Sequence, residues 1–468
     1  MSFSHQFHPT ILRAYDIRGI FEDTLTTEDA YAIGRSFALI VSQQANTSHP
    51  SIAIGRDGRL SAPALAKALA EGLVDGGAQV QDIGIGPTPM LYFADRHLQC
   101  DGAIQVTGSH NPPTHNGFKL VCNHQSFFGA DIKKLGEKAL SLGDVVDGGS
   151  YQQIQIQDAY VERLLADADF GQLTVVWDTG NGAAGPAMAQ LLEQLPQSDN
   201  HSLLFADVDG HFPNHHPNPV DPETLAFLQQ QVAERGADCG IGFDGDGDRI
   251  GIIDAKGRLV PGDLLTAYLA QAIAPKYQAP DIIFDVKSSQ MAMDLVAQTG
   301  AKPSLYKTRH SHLKQKMAAL NAPLAGEMSG HIFIKDNYYG FDDGLYVAVR
   351  VLSQMQQTGQ SITDFMDSLP DIHASPELHI ACADEKKFTA MEALALYAAQ
   401  HAAPTDEIND IDGVRLTNDE GWWLIRASNT EAKLVVRAEG RNGDALKAML
   451  ASVQSHLAAI DIDWTPPV

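Results

Sequence analysis

Ser51-Ile52-Ala53-Ile54-Gly55-Arg56-Asp57-Gly58-Arg59 is the stretch whose reading decides the fold. Its first five residues are small or β-branched and read as a buried strand, and Arg56 to Arg59 reads as a turn. Ser61 and Pro63 then open a helix that runs to about Gly72. The same order recurs twice. Leu173-Thr174-Val175-Val176-Trp177 leads into the turn Asp178-Thr179-Gly180-Asn181-Gly182 and a helix to about Leu195. Asp281-Ile282-Ile283-Phe284 leads into the turn Asp285-Val286-Lys287-Ser288 and a helix to about Gln298. Each unit then enters a second strand, at Gln79-Val80, Leu203-Leu204-Phe205 and Pro303-Ser304-Leu305-Tyr306. Strands alternating with helices of this length imply mixed or parallel sheets with crossover connections. A spacing of roughly 110–120 residues is one domain's worth of chain, so three α/β domains of common plan are expected.

The tail has a different texture. Glu377-Leu378-His379-Ile380, Gly413-Val414-Arg415-Leu416, Gly421-Trp422-Trp423-Leu424-Ile425 and Lys433-Leu434-Val435-Val436-Arg437 read as short strands, and Asp444 to Ala458 as a closing helix. This predicts a smaller α+β domain. The fold class is therefore α/β with four domains, expected at 1–155, 156–257, 258–371 and 372–468.

At 468 residues the chain is too long for a single core, and its 44% hydrophobic and 19% charged content is ordinary for a globular protein. Residues 1–10 hold no basic region followed by an apolar stretch, and apolar runs such as Phe37-Ala38-Leu39-Ile40-Val41 are too short to span a bilayer. Neither a secretory signal nor a membrane partner is expected, and the expected location is cytoplasmic. Cys100, Cys122, Cys239 and Cys382 are scattered without CxxC spacing and read as reduced thiols, mostly buried. The formal net charge of −25 argues against nucleic acid, which requires a basic footprint. Any anionic substrate must be met by a local cluster of cations against a repulsive background, so basic residues inside motifs carry unusual information.

Two segments suggest phosphoryl chemistry. Thr107-Gly108-Ser109-His110-Asn111-Pro112 follows the apolar strand Gly102 to Val106 and exposes a serine on the loop where that strand ends. Alone it is also ordinary turn composition. Asp244-Gly245-Asp246-Gly247-Asp248-Arg249 lies between the strands Cys239–Phe243 and Ile250–Ile253, with every second side chain converging. All-oxygen donors suit Mg²⁺ or Mn²⁺ rather than zinc. A calcium loop of the EF-hand kind is rejected, because Arg249 stands where that loop needs glycine and Ala255 where it needs glutamate. A phosphate on Ser109 would complete the shell of such an ion, and Arg249 would stabilise the oxygens in flight.

Two more loops read as ligand readers. Gly326-Glu327-Met328-Ser329-Gly330-His331 offers a carboxylate, a hydroxyl and an imidazole suited to sugar hydroxyls, with a buried turn as the other reading. Arg426-Ala427-Ser428-Asn429-Thr430 presents the donors a phosphate requires, with a plain surface turn as the other reading. Two distractors remain. Gly180-Asn181-Gly182-Ala183-Ala184-Gly185 after a strand, with Asp207 about 20 residues beyond, matches the dinucleotide fingerprint. His211, His215 and His216 are a possible zinc set, although they lie among prolines with no cysteine near.

Taken together, these four loops resemble the α-D-phosphohexomutase superfamily, closest to its bacterial bifunctional phosphomannomutase/phosphoglucomutase branch. The resemblance spans nearly the whole chain, from Arg13-Ala14-Tyr15-Asp16-Ile17-Arg18-Gly19 to the Arg426 loop. The Thr-Gly before Ser109 fits this branch, whereas phosphoglucosamine mutases usually carry alanine there. The resemblance implies four domains around a central active cleft. It further implies that Ser109 is carried as phosphoserine and passes its phosphoryl group to a hexose 1- or 6-phosphate, giving a hexose 1,6-bisphosphate that reorients. One Mg²⁺ per chain would be held by Ser109, Asp244, Asp246 and Asp248, with glucose 1,6-bisphosphate as activator and intermediate. Glu327 and Ser329 resemble the sugar contacts, and Arg426, Ser428, Asn429 and Thr430 the clamp for the phosphate not in transfer. Tyr15, Arg18, Arg249, Lys287, His310 and His331 resemble other substrate-binding residues of the cleft, with Lys119 and His331 as candidates for acid/base help beside Ser109 and Arg249. Hexose phosphates are the expected partners, and the chain is expected to be a monomer. Phosphoglucosamine mutase and a metal-dependent sugar-phosphate phosphatase are the alternatives. A nicotinamide dehydrogenase rests only on the Gly180 turn, and a non-catalytic sugar-phosphate binder would have no use for Ser109. One departure stands out: where the resemblance expects Lys-Thr-Gly-His-Ser, this chain has Lys307-Thr308-Arg309-His310-Ser311.

Overall fold

The computed structural model of the chain describes residues 3–13, 15–371, 373–428 and 432–466. Among these residues the chain forms four sheets of seven, five, four and six strands. The three repeats share one topology. In each, a central strand (Ser51–Arg56, Val175–Asp178 or Asp281–Asp285) lies between two parallel partners. The partner on one side comes next in the chain, and the partner on the other side (Gly102–Val106, Cys239–Phe243 or Leu324–Gly326) comes later. That last strand then turns back into an antiparallel neighbour, His115–Cys122, Ile250–Asp254 or Ile332–Ile334. The parallel strands read as continuous apolar runs because helices cover both faces: Gly102–Val106 and Cys239–Phe243 are buried at every residue.

This plan places three loops at one topological point. The Ser109 loop, the Asp244–Asp248 loop and the Glu327–Ser329 loop each connect the last parallel strand of a unit to its antiparallel neighbour. A shared core holds the units together. Tyr92 and Phe93 of the helix Thr88–His97 pack in the same cluster as Trp177, Phe243, Leu264 and Tyr346. Burying aromatic and aliphatic side chains of this size contributes about 1.5–3 kcal/mol each. Cys100, Cys122, Cys239 and Cys382 are free thiols, the first three buried. None of the described helices is long and apolar enough to cross a membrane.

The tail sheet contains the four expected strand regions and also Glu407–Asn409 and His373–Ala374. The reading of the tail as strands with one final helix missed a second helix, Asp384–His401. Only Lys387, Leu394 and Ala398 of it are buried, so the amphipathic signal that identifies a helix is weak. The tail docks on the third unit through Arg415. Its guanidinium donates to the carbonyls of Val286 (2.8 Å) and Ser288 (2.7 Å) and lies 3.8 Å from the Trp422 ring centroid. Burial pulls the Arg415 guanidinium down to about 10. Replacing Arg415 with alanine orphans two buried carbonyls and uncovers Trp422. The expected cost is about 2–4 kcal/mol in the docking of the tail, read as an earlier urea transition of Trp422/Trp423 fluorescence. An unchanged midpoint would show that Arg415 is not the bolt.

Candidate active site

The Ser109 loop is tied from beneath by a buried pair that sequence reading passed over as a turn. Arg59, 1% exposed, donates to the backbone carbonyls of Ser109 (2.7 Å), Asn111 (2.6 Å), Pro112 (2.6 Å) and His115 (2.9 Å). Asp57 accepts from Thr107 Oγ1 (2.8 Å) and the Gly108 amide (3.0 Å). Gly108 is required there, because a Cβ would lie 2.3 Å from Arg59 Nε. This lacing holds Ser109 in the left-handed region at φ 50° and turns its hydroxyl toward the second unit. Ser109 Oγ donates to Asp244 Oδ2 at 2.7 Å.

Asp244, Asp246 and Asp248 are fully buried. Lys119, on the antiparallel strand after the Ser109 loop, donates to Asp246 Oδ2 at 2.7 Å and Asp248 Oδ2 at 2.5 Å. Thr88 Oγ1 donates to Asp246 Oδ2 at 2.5 Å. Burial opposes the charge on Lys119, but the two carboxylates outweigh it and hold the ammonium well above its ordinary value. Burial, then repulsion from Asp246 and Asp248, pushes Asp244 well above the usual carboxylate range. For Asp246 burial is overcome by Lys119 and the carboxyl is held low. The donor set fits a hard cation. One oxygen from each aspartate lies within 4.8 Å of the others, and Asp246 Oδ1 and Asp248 Oδ1 are buried without a hydrogen-bond partner.

Around this floor runs a cleft of about 1030 Å³ lined by Tyr15, Arg18, Ser109, Lys119, Arg249, Lys287, His310, Glu327, Ser329 and His331. All ten are among the residues singled out from sequence. Arg249 Nε donates to His331 Nε2 (2.9 Å), whose Nδ1 lies 3.0 Å from Asp342 Oδ2. Asp342 also accepts from Lys314 (2.9 Å) and was not foreseen. The His310 ring stacks on His331 at 5.5 Å, and burial, then the Lys314 charge, keeps it neutral. Glu327 accepts from the Arg309 amide and from Ser329 Oγ, both at 2.9 Å. Lys287 donates to Glu377 at 3.1 Å.

The tail loop is brought less close. Arg426 is 6% exposed, does not line the cleft, and donates to Asp412 at 3.1 and 3.3 Å. Ser428 is buried, and Asn429 and Thr430 lie outside the described residues. The two distractors have structural explanations. Gly182 is glycine because a Cβ would lie 2.9 Å from the Gly245 carbonyl, so the Gly-rich turn buttresses the aspartate loop. Among the described residues the three histidines form no metal-ligating group; His215 instead lies 3.0 Å from Asp178.

Comparison with known proteins follows the same division. Four domain families match in order: phosphoglucomutase/phosphomannomutase α/β/α domains I, II and III over residues 9–140, 158–257 and 261–372, and the C-terminal domain over 377–455. The chain is 41% identical over 462 residues to a phosphomannomutase/phosphoglucomutase of Pseudomonas aeruginosa, covering 98% of this chain and 97% of that one. It is 36% identical over 455 residues to a phosphoglucomutase of Neisseria gonorrhoeae, with 96% of each covered. A crystal structure of a phosphoglucomutase/phosphomannomutase family protein from Burkholderia thailandensis superposes with a TM-score of 0.88 at 36% identity, over 99% of this chain and 100% of that one.

The electrostatics of the floor make Lys119→Met informative. It leaves three buried carboxylates with no buried cation and should cost about 3–5 kcal/mol in a metal-free thermal or urea melt. Mg²⁺ at about 100 times its Kd should return ~2.7 kcal/mol by mass action. A variant as stable as wild type in EDTA would contradict this account.

Proposed function

The chain belongs to the phosphoglucomutase/phosphomannomutase family, and from that premise we propose that it moves a phosphoryl group reversibly between C1 and C6 of hexose phosphates. The substrates are the glucose 1-phosphate/glucose 6-phosphate and mannose 1-phosphate/mannose 6-phosphate pairs. The observation that carries the site assignment is the Ser109 hydroxyl held 2.7 Å from Asp244 at the floor of a cation-lined cleft. A hydroxyl fixed by its own backbone lacing needs little reorganisation to carry a phosphoryl group and pass it on.

In this reading Ser109 alternates between phosphoserine and free hydroxyl. The phosphoryl group leaves Ser109 Oγ for the free hydroxyl of a hexose monophosphate, and the sugar hydroxyl's proton passes to a base of the cleft. The resulting 1,6-bisphosphate turns end for end, and its other phosphate returns to Ser109. Asp244, Asp246, Asp248 and Ser109 would hold Mg²⁺, which when bound offsets charge on the phosphoryl oxygens. Arg249, hydrogen-bonded to His331 and 4.0 Å from Asp244, is placed to meet those oxygens. His331 Nε2 becomes available as an acceptor once Arg249 turns to a phosphate. Lys119, held charged by two carboxylates, keeps its proton and offers positive charge to the phosphoryl oxygens. Glu327 and Ser329, hydrogen-bonded to each other on a rigid strand connection, present acceptors to sugar hydroxyls. A central cleft roofed by the tail limits loss of the phosphoryl group to water.

Ser109→Ala should reduce conversion of glucose 1-phosphate to glucose 6-phosphate to background while sugar-phosphate binding, measured by calorimetry, survives. Intact mass after glucose 1,6-bisphosphate treatment should show one added phosphate on the peptide containing Ser109. Undiminished turnover in the variant would refute the nucleophile. Release of inorganic phosphate in place of glucose 6-phosphate by the wild type would make the protein a phosphatase.

A further inference from the structure

One residue of the cleft pays for its place in backbone strain. Arg309 adopts φ 116° and ψ 132°, a region that glycine occupies and an L side chain rarely does. The other described non-glycine residues with positive φ lie between 45° and 64°, in the ordinary left-handed basin. The surroundings over-determine Arg309. Its amide donates to Glu327 Oε1 at 2.9 Å, and the amide of Thr308 donates to Asp412 Oδ2 at 3.1 Å. Glycine would meet the same constraints without strain, and glycine is what the resembling motif has. The side chain is therefore what the strain is spent on.

The guanidinium lies 5.2 Å from the Tyr15 ring centroid, so the ring steers it along the cleft wall. Among the described residues no carboxylate pairs with it, and its Nε is buried without a hydrogen-bond partner. Arg13 and Arg18 line the same wall. Arg13 is pulled below its ordinary value first by burial; Asp16 opposes this, and the positive charges of Arg18 and Arg309 add to the lowering. Of these three guanidiniums, Arg18 pairs with Asp16 at 2.7 Å. Three guanidiniums set against one carboxylate in a half-buried wall leave net positive charge there. In a chain of net charge −25, such a cluster marks a place built for an anion. Arg249 faces Asp244 and His331, whereas the Tyr15 hydroxyl, raised chiefly by burial, feels both Arg309 and Arg426. Asp412 accepts both from Arg426 and from the Thr308 amide next to Arg309, which puts Arg309 on the Arg426 side rather than at the aspartate floor.

We propose that Arg309 is an additional phosphate-binding residue of this chain, which with Arg13 holds the phosphate that stays on the sugar while the other is transferred. The assignment rests on the mutase reading above. A guanidinium offers a phosphate two parallel donors, which a glycine at this position cannot replace.

The test is Arg309→Gly, which removes the charge and relieves the backbone together. Loss of one charge-assisted contact should raise KM for glucose 1-phosphate by about tenfold or more with kcat within about twofold. Tm should stay equal or rise. Calorimetric affinity for inorganic phosphate should fall by a similar factor, a readout that needs no turnover. Arg309→Gly with wild-type KM and wild-type phosphate affinity overturns the proposal. So does a Tm that falls along with affinity, since that marks a structural role. If wild-type protein fails to make glucose 6-phosphate, the mutase reading is lost, while the phosphate titration still decides whether Arg309 binds the anion.

Discussion

Three carboxylates with no solvent exposure cannot stand alone, and the architecture follows from how they are satisfied. Asp244, Asp246 and Asp248 belong to the second unit, yet the groups that meet them come from the first. Lys119 reaches Asp246 and Asp248, Thr88 reaches Asp246, and Ser109 reaches Asp244. Separating the two units would strand buried charge at a cost of several kcal/mol per ion. The same contacts that make a reaction floor also fix the first unit on the second. Ser109 and the aspartates therefore share one frame.

The repeated topology explains why remote motifs arrive at one place. A loop that follows a parallel strand and precedes an antiparallel one leaves the sheet at the carboxyl end of the central strands, where ligands collect in α/β sheets. Each central strand runs into an aspartate at that end, and two of the three grip the neighbouring loop. Asp57 accepts from Thr107 and Gly108, and Asp285 accepts from the Met328 amide at 3.2 Å. The strand-turn-helix repeats were legible because their apolar runs are continuous. Ile332–Ile334 and Leu324–Gly326 were not, because three residues carry too little periodicity to separate a strand from a buried turn.

The site shows the same division. Ser109, the aspartate triplet and the Glu327 loop are recognisable because their chemistry is concentrated in a few consecutive residues. Arg59 escaped because most of its acceptors are backbone carbonyls, which leave no mark in side-chain composition. Thr88 escaped because it acts on a residue 158 positions away, and Asp342 because its partners His331 and Lys314 belong to other elements. The Gly180 turn matches a dinucleotide fingerprint for a related reason. Small residues permit close approach of any backbone, and here the approaching chain is the aspartate loop rather than a pyrophosphate.

An acidic protein that handles phosphates must keep its cations from collapsing onto its own acids in unproductive ways. The arrangement is ordered: the cleft cations Lys287 and Arg18 rest on Glu377 and Asp16, and Arg426 of the tail rests on Asp412. Each pair holds a long side chain in place. Asp412 joins the tail to the third unit, because it accepts both from Arg426 and from the Thr308 amide that precedes Arg309. One carboxylate therefore both holds the Arg426 guanidinium and seats the tail against the strained residue of the third unit.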